Sequence, residues 1–213
     1  MAAPLTIALP KGRLLVEAAE LLGAAGVDLS PVLAEGRQLR FDLPAAGLVV
    51  LVVRAADVPT YVDYGVADVG IAGRDVIEEE GRDLYEMLDT GLGPCRMAVA
   101  APREAPDPAA GVLRIASKYP NIARRHFLPR GIPVDIVKLY GSVELAVLCG
   151  LADRIVDLVS TGETLRQNGL VELEDIMEIT ARLVVNRASL KTRRRAVDDL
   201  IERIAQALPG ETA

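Results

Sequence analysis

The sequence predicts an α/β fold: two lobes of mostly parallel sheet with flanking helices. Short apolar runs alternate with amphipathic stretches along almost the whole chain. The chain is 51% hydrophobic but only 3% aromatic, so Ala, Val and Leu must fill a sizeable core. A small motif also occurs twice. Gly65-Val66-Ala67-Asp68 and Gly150-Leu151-Ala152-Asp153 each follow a helical stretch and lead into an apolar run.

Thr6–Leu9 reads as a buried strand. Arg13–Ala25 follows it as a helix, with an apolar stripe at positions 14, 15, 18, 19, 21, 22 and 25. Leu48–Val53 is a second strand, followed by a short helix near Asp57–Tyr64. Val69–Ala72 is a strand and Asp75–Glu80 a helix. Arg96–Ala101 is a strand that runs into a Pro-rich turn at Pro102–Pro108. Ile115–Ser117, Val134–Val137 and Ile155–Val159 complete the strands, with helices near Asn121–Phe127 and Val143–Leu148. Leu190–Leu208 reads as one closing helix with a single buried face. Alternating strands and helices imply parallel sheets covered on both faces. The repeated motif suggests two lobes of similar build with a cleft between them. The expected lobes are 1–92 with 183–213, and 93–182, the chain crossing near Gly91–Pro94 and Ile179–Leu183.

The net charge of −6 argues against a nucleic-acid binder, which needs a basic surface. It leaves room for a small anion held by local cations. Cys95 and Cys149 make no disulfide or metal pattern. No signal peptide precedes Leu5–Leu9, and no apolar run reaches membrane length, so the expectation is a cytoplasmic protein. No Walker A sequence and no Gly-x-Gly-x-x-Gly turn occurs after a strand, no Gly-x-Ser-x-Gly elbow appears, and no Cys/His set suits zinc. The one histidine, His126, reads as a helix surface residue.

The strongest chemical signal is Asp157-Leu158-Val159-Ser160-Thr161-Gly162-Glu163-Thr164-Leu165, where an apolar strand turns into a helix. Gly162 lets the backbone come close to a ligand. The free N–H groups of a helix start and the hydroxyls of Ser160, Thr161 and Thr164 suit a phosphate. An ordinary capped helix start fits the same residues. Asp157 interrupts an apolar strand, where a carboxylate is costly unless it has a partner. The hydroxyls of a ribose would be one. The second signal is Lys11-Gly12-Arg13 after the first strand, at the strand end where ligands of open α/β sheets bind. Arg37, Arg40, Arg54 and Arg74 stand at similar strand ends or turns. Any one of them is equally a surface charge; their repetition points to a shared anionic pocket.

Residues Gly141-Ser142-Val143-Glu144-Leu145-Ala146, then Gly150–Asp153, then Asp157–Leu165 resemble the signature of the ATP phosphoribosyltransferases. Leu9–Arg13, Arg54–Val62, Gly65–Ile71 and Ser117–Asn121 resemble further family segments, in order, so the likeness runs through nearly the whole chain. Small departures fall at Gly36-Arg37-Gln38-Leu39, Gly73-Arg74-Asp75 and Val147. The resemblance implies two lobes like those of periplasmic binding proteins. It implies that Asp157, Leu158, Ser160, Thr161, Gly162, Glu163, Thr164 and Leu165 hold phosphoribosyl pyrophosphate, with Glu144 nearby. It implies that Lys11, Gly12, Arg13, Asp68 and Asp89 bind ATP or pyrophosphate, with Arg37 and Arg54 meeting the charge of the leaving group. Mg2+ would arrive with the substrate phosphates rather than on a protein metal site. The likeness is to the short form of the enzyme, which works in a hetero-octamer with a regulatory subunit resembling histidyl-tRNA synthetase. A solute-binding protein and a phosphoribosyltransferase for another base are the rival readings.

Overall fold

The structure, a computed structural model, describes residues 3–34, 36–104 and 111–208. Part of the Pro-rich turn expected at 102–108 lies outside the described residues. The strands are β1 (Leu5–Pro10), β2 (Arg40–Leu43), β3 (Leu48–Val53), β4 (Val69–Gly73), β5 (Tyr85–Asp89), β6 (Cys95–Pro102), β7 (Leu113–Ser117), β8 (Val134–Lys138), β9 (Arg154–Val159), β10 (Leu170–Ile179) and β11 (Ala181–Val185). The helices are α1 (Arg13–Ala24), α2 (Ser30–Leu33), α3 (Val58–Asp63), α4 (Arg74–Glu80), α5 (Pro120–Phe127), α6 (Glu144–Leu148), α7 (Glu163–Gln167), α8 (Arg187–Thr192) and α9 (Arg194–Ala207). The chain divides into two compact units, Met1–Gly93 with Thr180–Ala213, and Pro94–Ile179.

The first unit holds a sheet ordered β2-β3-β1-β4-β11-β5. Strands β3, β1 and β4 are parallel, as the alternation predicts. Around this parallel core, β2, β11 and β5 run antiparallel to their neighbours, so the sheet is mixed. Side chains alternate between the two faces with the period of a strand. Ile7, Leu9, Val50, Val52, Val69, Ile71, Leu183 and Val185 pack with Ala18, Leu22, Val197 and Ile204 of α1 and α9. Ala8, Ala72 and Val184 face the other way, against Val58 and Val62 of α3 and Ile77 of α4. Gly70 lets α3 lie close, because a Cβ there would stand 2.8 Å from both Val58 Cγ1 and Val62 Cγ2.

The second unit repeats the plan with order β10-β6-β9-β7-β8. Strands β9, β7 and β8 are parallel, while β6 and β10 are antiparallel. Met97, Val99, Leu113, Ile115 and Val156 bury one face against Ile122 and Phe127 of α5. The other face carries small side chains, Ala98, Ala100 and Ala116, and is covered by Ala146 of α6 and Leu165 of α7.

Two local readings change. The closing helix is two helices, broken at Arg193 (φ −127°, ψ 24°), whose side chain turns to Asp68 and to the Ala3 carbonyl. The start of α8 is fixed by Asn186, whose side-chain oxygen accepts from the N–H groups of Ala188 and Ser189, each at 2.9 Å. His126 is not a surface residue: its side chain is 7% exposed, bonds Glu174 at 2.9 Å and meets the Phe127 ring edge-on.

Candidate active site

In the second unit the parallel strands deliver their carboxyl ends to one edge of the sheet. There β9 ends in Ser160–Gly162, and the chain after β8 reaches α6, which opens with Glu144. A cavity of about 190 Å³ is lined by Glu144 and by every residue from Asp157 to Leu165. The structure thus gathers two stretches that stand well apart in sequence. Gly162 is buried and left-handed, with φ 71° and ψ 5°, a conformation that side-chain-bearing residues resist. A Cβ at Gly162 would also lie 2.9 Å from Glu172 Oε1.

The lining residues offer different atoms. Thr161 Oγ1 accepts from the Glu163 N–H at 3.4 Å, and the Thr164 side chain is exposed. Glu163 turns along the helix to Arg166 at 2.5 Å and Gln167 at 2.8 Å. Those contacts, Arg166 first, hold its carboxyl below the usual range. Asp157 Oδ1 accepts from the Leu158 N–H at 2.8 Å. Leu165 is 6% exposed and packs in the core, so only its backbone can serve a ligand. With five residues, α7 supplies few aligned dipoles, so what the loop offers a ligand is the N–H groups of its first turn and the hydroxyls.

The first unit has a second set of groups at the same kind of edge. Pro10 of β1 pairs with Val53 of β3, and the Lys11 N–H donates to the Val53 carbonyl at 2.8 Å. Lys11, Gly12 and Arg13 therefore sit beside Arg54, which follows β3. All four are exposed. Gly12 begins α1 with φ 96° and ψ −150°, which glycine adopts readily. Arg13 pairs with Glu17 at 3.1 Å. Arg37 precedes β2, which runs back along β3, with Arg40 opposite Leu51, so Arg37 lies toward the same edge. Arg74 follows β4, beside the start of β11.

Asp89 closes β5 on that edge, opposite Arg182 of β11. Its carboxylate accepts from Thr180 Oγ1 at 2.7 Å and the Gly91 N–H at 3.0 Å, and it pairs with Arg182 at 2.8 Å. Burial pushes the Asp89 carboxyl up, but Thr180, Gly91, Arg182 and Arg74 together hold it below the usual range. The sequence reading missed Arg182, whose strand it did not find. The guanidinium Nε of Arg182 is buried and has no hydrogen-bond partner.

Asp68 does not join these groups. It precedes β4, whereas Arg74 follows it, so five strand residues, about 17 Å at ~3.3 Å each, separate the two ends. Asp68 is 7% exposed. Its oxygens accept from the Thr6 N–H at 2.8 Å, Ser189 Oγ at 2.7 Å and Arg193 Nη1 at 2.6 Å. The carboxylate ties β1, β4, α8 and the start of α9 together. The role at ATP or pyrophosphate implied for Asp68 conflicts with that placement.

Fold and site define a class: an α/β protein of two units, each of which carries polar or cationic groups at the carboxyl ends of its parallel strands. The family model described as HisG: ATP phosphoribosyltransferase matches residues 54–206. The ATP phosphoribosyltransferase of Geobacter metallireducens is 54% identical over 202 residues, covering 93% of this chain and 95% of that protein. A chain of the ATP phosphoribosyl transferase (HisG:HisZ) complex from Thermotoga maritima matches with a TM-score of 0.84 and 36% identity, over 95% of this chain and 98% of its own. The alkanesulfonate-binding protein SsuA from Xanthomonas axonopodis pv. citri shares the fold alone, with a TM-score of 0.56 and 16% identity over 97% of this chain and 73% of its own. This chain belongs to the ATP phosphoribosyltransferase family, whose reaction is the first step of histidine biosynthesis.

Proposed function

We propose that the chain transfers the phosphoribosyl group of phosphoribosyl pyrophosphate to N1 of ATP, with the phosphoribosyl donor held by the loop Asp157–Leu165. The observation that carries this reading is the cavity that brings Glu144 to that loop. Hydroxyls at Ser160, Thr161 and Thr164 and the N–H groups of the first turn of α7 suit the 5′-phosphate. Asp157 and Glu144 are the carboxylates that suit the ribose hydroxyls.

The chemistry is an in-line displacement. The lone pair on N1 forms a bond to C1′ as the bond from C1′ to the pyrophosphate oxygen breaks, and that electron pair leaves with pyrophosphate. N1 needs no base to free its lone pair. The protein's contribution is then alignment and stabilisation of the charge that grows on the leaving group. The strand-end groups of the first unit, Lys11, Gly12, Arg13, Arg37 and Arg54, serve ATP and pyrophosphate in this reading, and Asp89 orients Arg182 beside them.

Glu144 and Asp157 are hard oxygen donors of the kind Mg2+ accepts, and the rest of its coordination would come from the substrates. When bound, Mg2+ would neutralise phosphate oxygens. The likeness to a chain of the HisG:HisZ complex supports a HisZ-like regulatory partner, which in this reading resembles histidyl-tRNA synthetase and assembles with the chain as a hetero-octamer. No helix among the described residues is long and apolar enough to cross a membrane. The cytoplasm is the location we infer.

The test is direct. Incubated with ATP, phosphoribosyl pyrophosphate and Mg2+, the protein forms phosphoribosyl-ATP and pyrophosphate, faster when the regulatory subunit is added. If no product forms even with that subunit present, the reading is wrong.

A further inference from the structure

The loop Ser160–Thr164 is backed by charges that the substrate does not need to touch. Arg96, the second residue of β6, stands opposite Val159, the last residue of β9. Its guanidinium donates to Glu172 Oε2 from Nε at 2.9 Å and from Nη2 at 2.5 Å. The same guanidinium donates to the Ser160 carbonyl at 3.4 Å and lies 3.2 Å from Asp175. The other oxygen of Glu172 fills the space where Gly162 would carry a Cβ, 2.9 Å away. A carboxylate therefore sits against the glycine of a loop suited to a phosphate. Alone it would repel that phosphate.

We propose that Arg96 and Glu172 are positioning residues for the phosphate loop: Glu172 seats Gly162, and Arg96 holds the Ser160 carbonyl and cancels the charge of Glu172. The proposal rests on the assignment of phosphoribosyl pyrophosphate to Asp157–Leu165. Glu172 is useful for its shape and costly for its charge, and Arg96 removes the cost. Arg166 adds a second cation, since its Nη1 donates to the Thr161 carbonyl at 3.4 Å. Its charge, however, is largely spent on Glu163 at 2.5 Å.

A mutant cycle tests this by calorimetric titration of phosphoribosyl pyrophosphate with Mg2+ into the full chain. Arg96→Met should raise Kd by about tenfold or more at low salt, since it strands a carboxylate beside the phosphate. The loss should shrink as salt rises, because screening weakens the repulsion. Glu172→Gln keeps the shape and should bind at least as tightly as the wild type. The double variant R96M/E172Q should recover most of the affinity lost in R96M. A purely structural role would not give that rescue or that salt dependence. R96M binding like the wild type, or a double variant as weak as R96M, overturns the proposal. If R96M does not fold, E172Q decides alone, and a tenfold loss there overturns it. The variant T161V/T164V serves as the reference. It should bind weakly whatever happens at Arg96, and wild-type affinity there removes the loop assignment itself and the proposal with it.

Discussion

Asp68 and Asp153 make the same connection in the two units. Each carboxylate accepts the backbone N–H of a residue in the neighbouring parallel strand, Thr6 at 2.8 Å and Arg114 at 2.9 Å. Each aspartate's own N–H donates back to the carbonyl of that residue, at 2.8 and 2.9 Å. The two copies of Gly-x-Ala-Asp in the sequence are thus one structural device, which fixes the register of β4 on β1 and of β9 on β7. Both lie at the end of the sheet opposite the candidate site.

Asp68→Ala should therefore damage stability and spare binding. It leaves the Arg193 guanidinium and two other donors without their acceptor in a largely buried place, at a cost of about 3 kcal/mol. Denaturant unfolding should show that loss, while the affinities of the folded variant for ATP and phosphoribosyl pyrophosphate stay within twofold of the wild type. A stable variant with weak ATP binding would return Asp68 to the site.

Asp153 gives stability a pH dependence. The Arg114 side chain first, then its backbone N–H, hold the Asp153 carboxyl below its ordinary 3.8. A lowered folded value means that the ionised form is favoured by folding. The stabilisation is complete above 3.8 and is lost as pH falls through the lowered folded value. Unfolding measured across acid pH should thus show the wild type losing its advantage over Asp153→Asn as pH drops. An advantage that stays constant would mean that the pairing adds nothing.

Arg54 tests the division of labour at the first unit's strand ends. If it meets charge that grows on pyrophosphate, Arg54→Ala should lower kcat by about tenfold to a hundredfold and change the KM for ATP much less. A rise in KM alone, with kcat kept, would make Arg54 a ground-state binding group.

The sequence shows the parallel core because β1, β3, β4, β7, β8 and β9 are short apolar runs followed by helices. Of the strands that make the sheets mixed it shows β6 but hides β2, β5, β10 and β11. In β10, Glu172, Glu174, Glu178 and Asp175 break the apolar pattern, because that edge strand spends its charges on Arg96, Arg130 and His126. In β5, Tyr85, Glu86 and Met87 are exposed, so no alternation marks the strand. The loop at Asp157–Leu165 is legible because its chemistry is local. Arg96 and Glu172 are not, because the two residues stand 76 positions apart and meet only once β6 and β10 share a sheet. Asp68 enters the site only through the family resemblance; its place directly before the apolar run Val69–Ala72 already marks the amino end of that strand, away from the carboxyl ends where Arg54 and Arg74 stand.

The central claim is that phosphoribosyl pyrophosphate binds on the loop Asp157–Leu165 beside Glu144. Backbone hydrogen exchange of the full chain, with and without phosphoribosyl pyrophosphate and Mg2+, reads that loop directly. The account predicts slowed exchange in peptides covering 157–165 and 141–145, the amides that would contact or border the phosphate and ribose. Unchanged exchange in both segments at saturating ligand, with protection elsewhere, would contradict it.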